Sequence, residues 1–251
     1  MLFGSVTMGF MSMTAKLIRM RSSVSPLHLT AMRGMGMAIG AFCFCKVCNI
    51  DHLKVPKPIA TYFIFRCIFG FLSVISELIA LYLLPFSLAI ILNFTQPIAV
   101  TIINFVFLGE KLKVYEYVSI CVTMIGVVIL TSPSNIFWSI EQSDNLLDYP
   151  NYKYGVMIAL FGSCSSGFAY LMMRKIGANI DSAINPLYFG IFLTFAGMIA
   201  TKLADHALPE LDWPTIGLIV VFCFFGWVAQ VGVSKAVQLE KGGRVAAVLY
   251  I

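Results

Sequence analysis

Residues 88–113 read LAIILNFTQPIAVTIINFVFLGEKLK. From Leu88 to Leu108 the stretch carries no charge, and it stops at Gly109-Glu110-Lys111. That is the length a helix needs to cross a bilayer, about 20 residues at about 1.5 Å each. Asn93, Thr95 and Gln96 put three polar side chains near its middle. Pro97 removes one backbone donor and opposes the carbonyl of Asn93, so the spacing predicts a kink or local opening there. At membrane depth such a break is tolerated only where protein or a water-filled cavity satisfies the freed groups. The stretch is therefore expected to line the interior of a polytopic membrane protein.

Composition points the same way. The 251 residues are 59% hydrophobic and 12% charged, against about 25% charged in soluble domains. So few charges cannot coat a water-facing surface, and lipid is the solvent that fits. The net charge of +5 reads as loop bias setting orientation, not as nucleic-acid binding. Of the seven cysteines, four stand alone in apolar runs, and no disulfide framework is suggested.

Outward from the central stretch, apolar runs and breakers divide the chain. Residues 1–18 read as a first span that lacks its beginning, followed by a polar link, Met20 to Ser25. A second span, Pro26 to Val47, contains Arg33. After the link Asn49–Lys57, the third span runs from Ile59 to Leu84, with Arg66 near its start and Glu77 deep inside. Pro85 turns the chain into the central stretch. A fifth span is expected over Val114–Thr131, then a polar, acidic link, Ser132–Tyr152. Further spans are expected over Tyr154–Met173, Ile184–Thr201 and Pro214–Leu239, and a ninth begins at Gly242.

An internal repeat is visible. Gly4-Ser5-Val6-Thr7-Met8-Gly9-Phe10 resembles Gly162-Ser163-Cys164-Ser165-Ser166-Gly167-Phe168, an offset of 158. Pro26-Leu27 matches Pro186-Leu187 at 160, and Cys67-Ile68-Phe69-Gly70 matches Cys223-Phe224-Phe225-Gly226 at 156. Five spans per copy, an odd number, mean that the second copy enters from the opposite side, the inverted arrangement of many secondary transporters. The expected architecture is thus an all-α polytopic membrane protein made of two five-helix halves. The first half covers 1–133, a polar loop 134–153, and the second half 154–251. Ten helices are expected and about eight and a half are present, which reads as a truncated product. With the start cytosolic, ten Lys/Arg (Arg66 among them) fall on inside links against five outside, as the basic-residue bias requires.

Asn93-Phe94-Thr95-Gln96-Pro97, Phe107-Leu108-Gly109-Glu110-Lys111-Leu112 and Ile125-Gly126-Val127-Val128-Ile129-Leu130 follow one another in order. This succession resembles the EamA-type repeat of the drug/metabolite transporter superfamily. Lys235-Ala236-Val237-Gln238-Leu239-Glu240-Lys241-Gly242-Gly243 is similar to the eighth-to-ninth helix junction of solute carrier family 35, particularly its G-type members related to nucleotide-sugar transporters. The resemblance implies a ten-helix carrier with both ends cytosolic, working by alternating access.

Several residues are candidates for chemistry, each with a plainer alternative. Glu77, an ionisable group inside the membrane, costs about 2.5–3.5 kcal/mol at a helix centre and normally faces a cavity or a partner. It could bind a proton, a cation or a cationic substrate group; alternatively it is protonated or paired with Arg33. Arg33 suits bidentate contact with an anionic group such as phosphate, or forms a structural ion pair. Lys235 either meets substrate or snorkels to the interface. Asn93, Thr95 and Gln96 either bind substrate or bond between helices. The paired glycines suggest close helix packing. Cys43, Cys45 and Cys48 suit juxtamembrane acylation or are plain membrane cysteines. No paired acids, histidine-metal cluster or Ser-His arrangement lies within the spans, so neither an enzyme nor a cofactor or metal site is expected. The expected partners are lipid and a small polar solute such as a nucleotide-sugar-like metabolite. The alternatives are a divalent-cation carrier of the same superfamily and an inactive product.

Overall fold

The structure, a computed structural model, describes residues 2–50, 57–93, 95–109, 118, 121, 122, 125, 151–177, 180–204 and 211–239. Apart from residues 118, 121, 122 and 125, the expected fifth span lies outside the described residues, as do the polar link up to residue 150 and the start of the ninth span.

The described residues form helices and their connections: α1 (Leu2–Arg21), α2 (Pro26–Val47), α3 (Lys57–Leu83), α4 (Phe86–Asn93), α5 (Gln96–Leu108), α6 (Tyr152–Ile176), α7 (Ile184–Leu203) and α8 (Trp213–Leu239). Among the described residues, six stretches are long and apolar enough to cross a membrane: α2, residues 59–83 of α3, residues 91–108 across the α4–α5 junction, α6, α7 and residues 213–238 of α8. The fold is an all-α, multi-pass membrane protein. α1 carries Lys16, Arg19 and Arg21 near its end, which dilutes its apolar character, yet it buries Met11, Ala15 and Ile18 in the core.

Local chemistry sets the helix ends. Ser25 caps α2: its hydroxyl accepts from the His28 N–H at 3.4 Å, and Pro26 opens the first turn. Gly109 closes α5 in the left-handed region (φ 63°), with its N–H on the Phe105 carbonyl at 3.1 Å. The central stretch is broken where the proline requires it. α4 ends at Asn93 and α5 starts at Gln96. The Thr95 N–H turns back three residues to the Leu92 carbonyl at 3.0 Å, and the Ala99 N–H resumes α-helical bonding to Thr95 at 3.1 Å.

Surface and interior are inverted relative to a water-soluble protein. Ile64, Val106, Met157, Phe161, Phe195, Ile199, Val220 and Phe224 are exposed, while Arg33, Arg66, Asn104, Ser163, Asn185 and Gln230 are buried. Hydrocarbon outside and polar groups inside is what a bilayer selects.

Packing is nested. α1 packs mainly on α8, α2 on α7, and α3 on α6. The α2–α7 contact is made at backbone range. A Cβ on Gly34 would stand 2.5 Å from the Thr194 nitrogen, and one on Gly190 would stand 2.7 Å from the Ala38 nitrogen. Small residues let these backbones touch, as in other membrane helix pairs. The Gly162–Gly167 motif works similarly: a Cβ on Gly162 would come within 2.8 Å of Ser76 Cβ, and one on Gly167 within 2.6 Å of Ile103 Cδ1.

Two helix ends are tied in the same way. The Tyr82 hydroxyl, near the end of α3, donates to the carbonyl of Val24 in the α1–α2 link. Gln238 Nε2, near the end of α8, donates to the carbonyl of Ile180 in the α6–α7 link at 2.9 Å. Donor and acceptor are both displaced by 156 residues, 82 to 238 and 24 to 180. Neighbouring groups reinforce each tie. Arg19 donates to the Leu81 carbonyl at 2.5 Å and lies over the Tyr82 ring at 4.7 Å, while Gln238 also donates to the Gly177 carbonyl at 3.1 Å.

Candidate polar site within the helix bundle

α3 carries the site's backbone. Arg66, Gly70, Ser73 and Glu77 recur at intervals of four, three and four residues in a largely apolar helix. At 3.6 residues per turn this spacing places all four on one face. Arg66 lies nine residues into α3 and is buried, 4% exposed. Its expected assignment to a cytosolic link is therefore corrected: the helix begins at Lys57 and carries Arg66 into the bundle. The guanidinium lies over the ring of Phe189, a fully buried residue of α7, at 4.3 Å from the ring centre. It occupies the space that a side chain at position 70 would fill. Its Nε has no hydrogen-bond partner among the described residues.

Arg33, from α2, is the second buried guanidinium, 2% exposed, and neither Nε nor Nη1 has a hydrogen-bond partner among the described residues. It lies beside Gly226 of α8, whose missing Cβ would stand 3.5 Å from Nε. Thus Gly70 and Gly226, which stand 156 residues apart in matching Cys-x-Phe-Gly stretches, each adjoin a buried arginine. Arg33 is within electrostatic reach of both Arg66, which repels it, and Glu77, which attracts it. Tyr170 of α6 is buried within reach of Arg66 and Glu77.

Glu77 is half-buried. Its Oε1 accepts from Asn93 Nδ2 at 3.4 Å, so the last residue of α4 meets α3 immediately before the helix break. The other polar groups at the break bond to α6. Thr95 Oγ1 lies 2.7 Å from the Leu92 carbonyl and 2.9 Å from Ser163 Oγ, which is itself 3.1 Å from the Ala159 carbonyl. Two hydroxyl protons thus serve three contacts. Gln96 Nε2 donates to Ser166 Oγ. Pro97 stands in the first turn of α5.

Of the residues singled out in the sequence, Arg33, Glu77 and Asn93 gather around one interior. Thr95 and Gln96 join α5 to α6. Lys235 is exposed on α8 and takes no part in these interior hydrogen bonds. Arg66, Ser163, Ser166 and Tyr170 were not singled out. The first was detectable by the argument applied to Glu77, a lone charge in an apolar run. The serines lay in the repeat motif but were overshadowed by its glycines. Asn185, whose Nδ2 donates to Ser234 Oγ at 2.8 Å, is a further buried polar contact between α7 and α8.

Comparison with known proteins agrees with this membrane architecture. Residues 1–132 match the model of the EamA-like transporter family. A probable transport protein of Saccharomyces cerevisiae is 24% identical over 246 residues, covering 92% of this chain and 69% of that protein. Solute carrier family 35 member G1 of Homo sapiens is 23% identical over 195 residues, 76% of this chain and 52% of that protein. A probable transporter of Bipolaris victoriae is 21% identical, covering 89% and 63%. The chain therefore spans between about half and about two thirds of the length of these relatives. A crystal structure with a TM-score of 0.69 covers 98% of this chain and 83% of its own at 14% identity, and so shares the fold. With more than half of its residues matched by the family model, in a bundle of apolar spans around buried polar groups, the chain belongs to the EamA-like transporter family.

Proposed function

We propose that this chain acts in a secondary carrier that moves a small polar metabolite by alternating access, with the solute bound among α2, α3, α4 and α7. The observation that carries this reading is the pair of buried guanidiniums with unpartnered N–H groups. An ion inside a membrane bundle is costly and is retained where it meets a partner or a pathway. Glu77, Asn93 and the break before Pro97 adjoin the same interior. The backbone there is interrupted, as in transporters that bind solute at discontinuous helices.

The nested pairing of helices supports two inverted halves, 1–133 and 154–251. In such a pair, first meets third, second meets second, and third meets first. α1 with α8, α2 with α7 and α3 with α6 follow that rule. The equivalent ties at Tyr82 and Gln238 support it independently. The cation-carrier alternative is disfavoured by charge, since among the described residues this interior holds two buried arginines and one carboxylate, Glu77.

Uptake of radiolabelled polar solutes into proteoliposomes containing the purified chain tests the proposal. Saturable uptake that falls in Arg33→Gln and Arg66→Gln variants is expected. Absence of uptake for every polar solute, with correctly inserted protein, rejects it.

A further inference from the structure

Resting on the carrier reading, the geometry points to the chemical class of the solute: we propose that Arg66 and Arg33 form a clamp for an anion, a soluble carboxylate or phosphate. In this clamp Arg66 is the principal contact, and Phe189 and Gly70 are its positioning residues.

The charge count comes first. Two guanidiniums are buried almost completely, and among the described residues the half-buried carboxylate of Glu77 lies within electrostatic reach of Arg33. That carboxylate is hydrogen-bonded to Asn93, and both arginines keep N–H groups without partners. A buried charge without compensation is expensive. An anion supplies both an acceptor and the compensating charge; a neutral sugar supplies acceptors without the charge, and a cation adds to the imbalance.

Shape comes second. A guanidinium offers a planar fork that matches carboxylate and phosphate oxygens two at a time. The Arg66 guanidinium carbon lies over the Phe189 ring, 4.3 Å from its centre, which tethers the group by cation–π attraction. Gly70 leaves the volume that the guanidinium fills. The fork is therefore oriented by α3 and α7 together, before any solute arrives. Pre-orientation of this kind has a purpose at a binding site. For a charge that merely has to be hidden, a direct carboxylate partner would be expected, and among the described residues none is bonded to Arg66.

The test uses the whole chain in phosphatidylcholine nanodiscs, with the thermal unfolding midpoint followed as solute is titrated. Inorganic phosphate and succinate are the anionic probes; glucose and choline are the controls. Saturable stabilisation by phosphate or succinate, and by neither control, is expected. Arg66→Gln should weaken it about tenfold or more, the loss of one charge-assisted hydrogen bond. Arg66→Lys keeps the charge without the fork and should fall between. Phe189→Leu should weaken anion binding while leaving Arg66 in place. These two variants keep the test decisive if Arg66→Gln does not fold. Stabilisation by glucose or choline that survives Arg66→Gln overturns the clamp and leaves the carrier reading standing. Silence toward all four overturns the clamp, and the carrier reading is then judged separately from uptake by the same preparation. Arg66-dependent stabilisation by added phosphatidylglycerol, in place of phosphate and succinate, assigns the site to a lipid headgroup and overturns the soluble anion.

Discussion

Gly70 illustrates how one missing atom shapes the interior. A methyl there would stand 2.7 Å from Phe189 Cε2 and 2.9 Å from Cζ, and would overlap the Arg66 guanidinium. Phe189 is 1% exposed and cannot swing into solvent. Gly70→Ala is therefore expected to destabilise the fold by about 1–3 kcal/mol, the usual range for overpacking. The check is the thermal midpoint in detergent. Phe189→Leu in the same chain should recover part of that loss, because the smaller side chain makes room. A Gly70→Ala variant as stable as the parent contradicts the cradle. At this scale the sequence was partly legible. Glu77 and Arg33 stood out as charges in apolar runs. Arg66 did not, because it lies close to the polar link before α3, and the decision between link and bundle rested on where that helix begins. Its position over the Phe189 ring joins residues 123 positions apart, which no local pattern discloses.

At the scale of elements, the α4–α5 junction is the part most directly written in the sequence. Pro97 cannot donate to the Asn93 carbonyl, and the helix is interrupted where that bond would have closed. The polar residues flanking the break then have to be satisfied by neighbours. Asn93 meets Glu77, Thr95 meets Ser163, and Gln96 meets Ser166. Which neighbours would do so was not legible, because pairing between distant helices depends on their relative rotation. Ser163→Ala should cost about 0.6 kcal/mol, the average for a hydrogen bond between membrane helices, measured by reversible unfolding in mixed micelles. A loss several times larger contradicts the modest role assigned to that bond. Pro97→Ala restores an N–H opposite Asn93. We expect stability to be unchanged or slightly higher and solute uptake to fall, because a continuous helix moves the Asn93 side chain away from Glu77. Equal uptake by the Pro97→Ala chain argues against a functional break.

For the whole molecule, the claim at stake is that residues 1–133 and 154–251 are copies threaded through the bilayer in opposite senses. Offsets of 156–160 residues suggested it in the sequence, but short matches among Gly, Ser and Phe are weak by themselves. The added strength lies in three dimensions. The Tyr82–Val24 and Gln238–Ile180 hydrogen bonds join positions that correspond at one offset, although tyrosine and glutamine share no sequence similarity. The shared feature is a side-chain donor reaching a link carbonyl, so the correspondence is invisible to residue matching. If the halves are inverted, the two ties close opposite ends of the bundle, and the α1–α2 and α6–α7 links face opposite aqueous compartments. Ser23 is exposed in the first link and Ser182 is half-exposed in the second, so Ser23→Cys and Ser182→Cys can report their sides in a background whose native cysteines are replaced. In sealed, uniformly oriented vesicles, a membrane-impermeant maleimide should label one of the two at once and the other only after permeabilisation. Labelling of both before permeabilisation would place the links on one side, and the nested helix pairing would then have to arise without inverted halves.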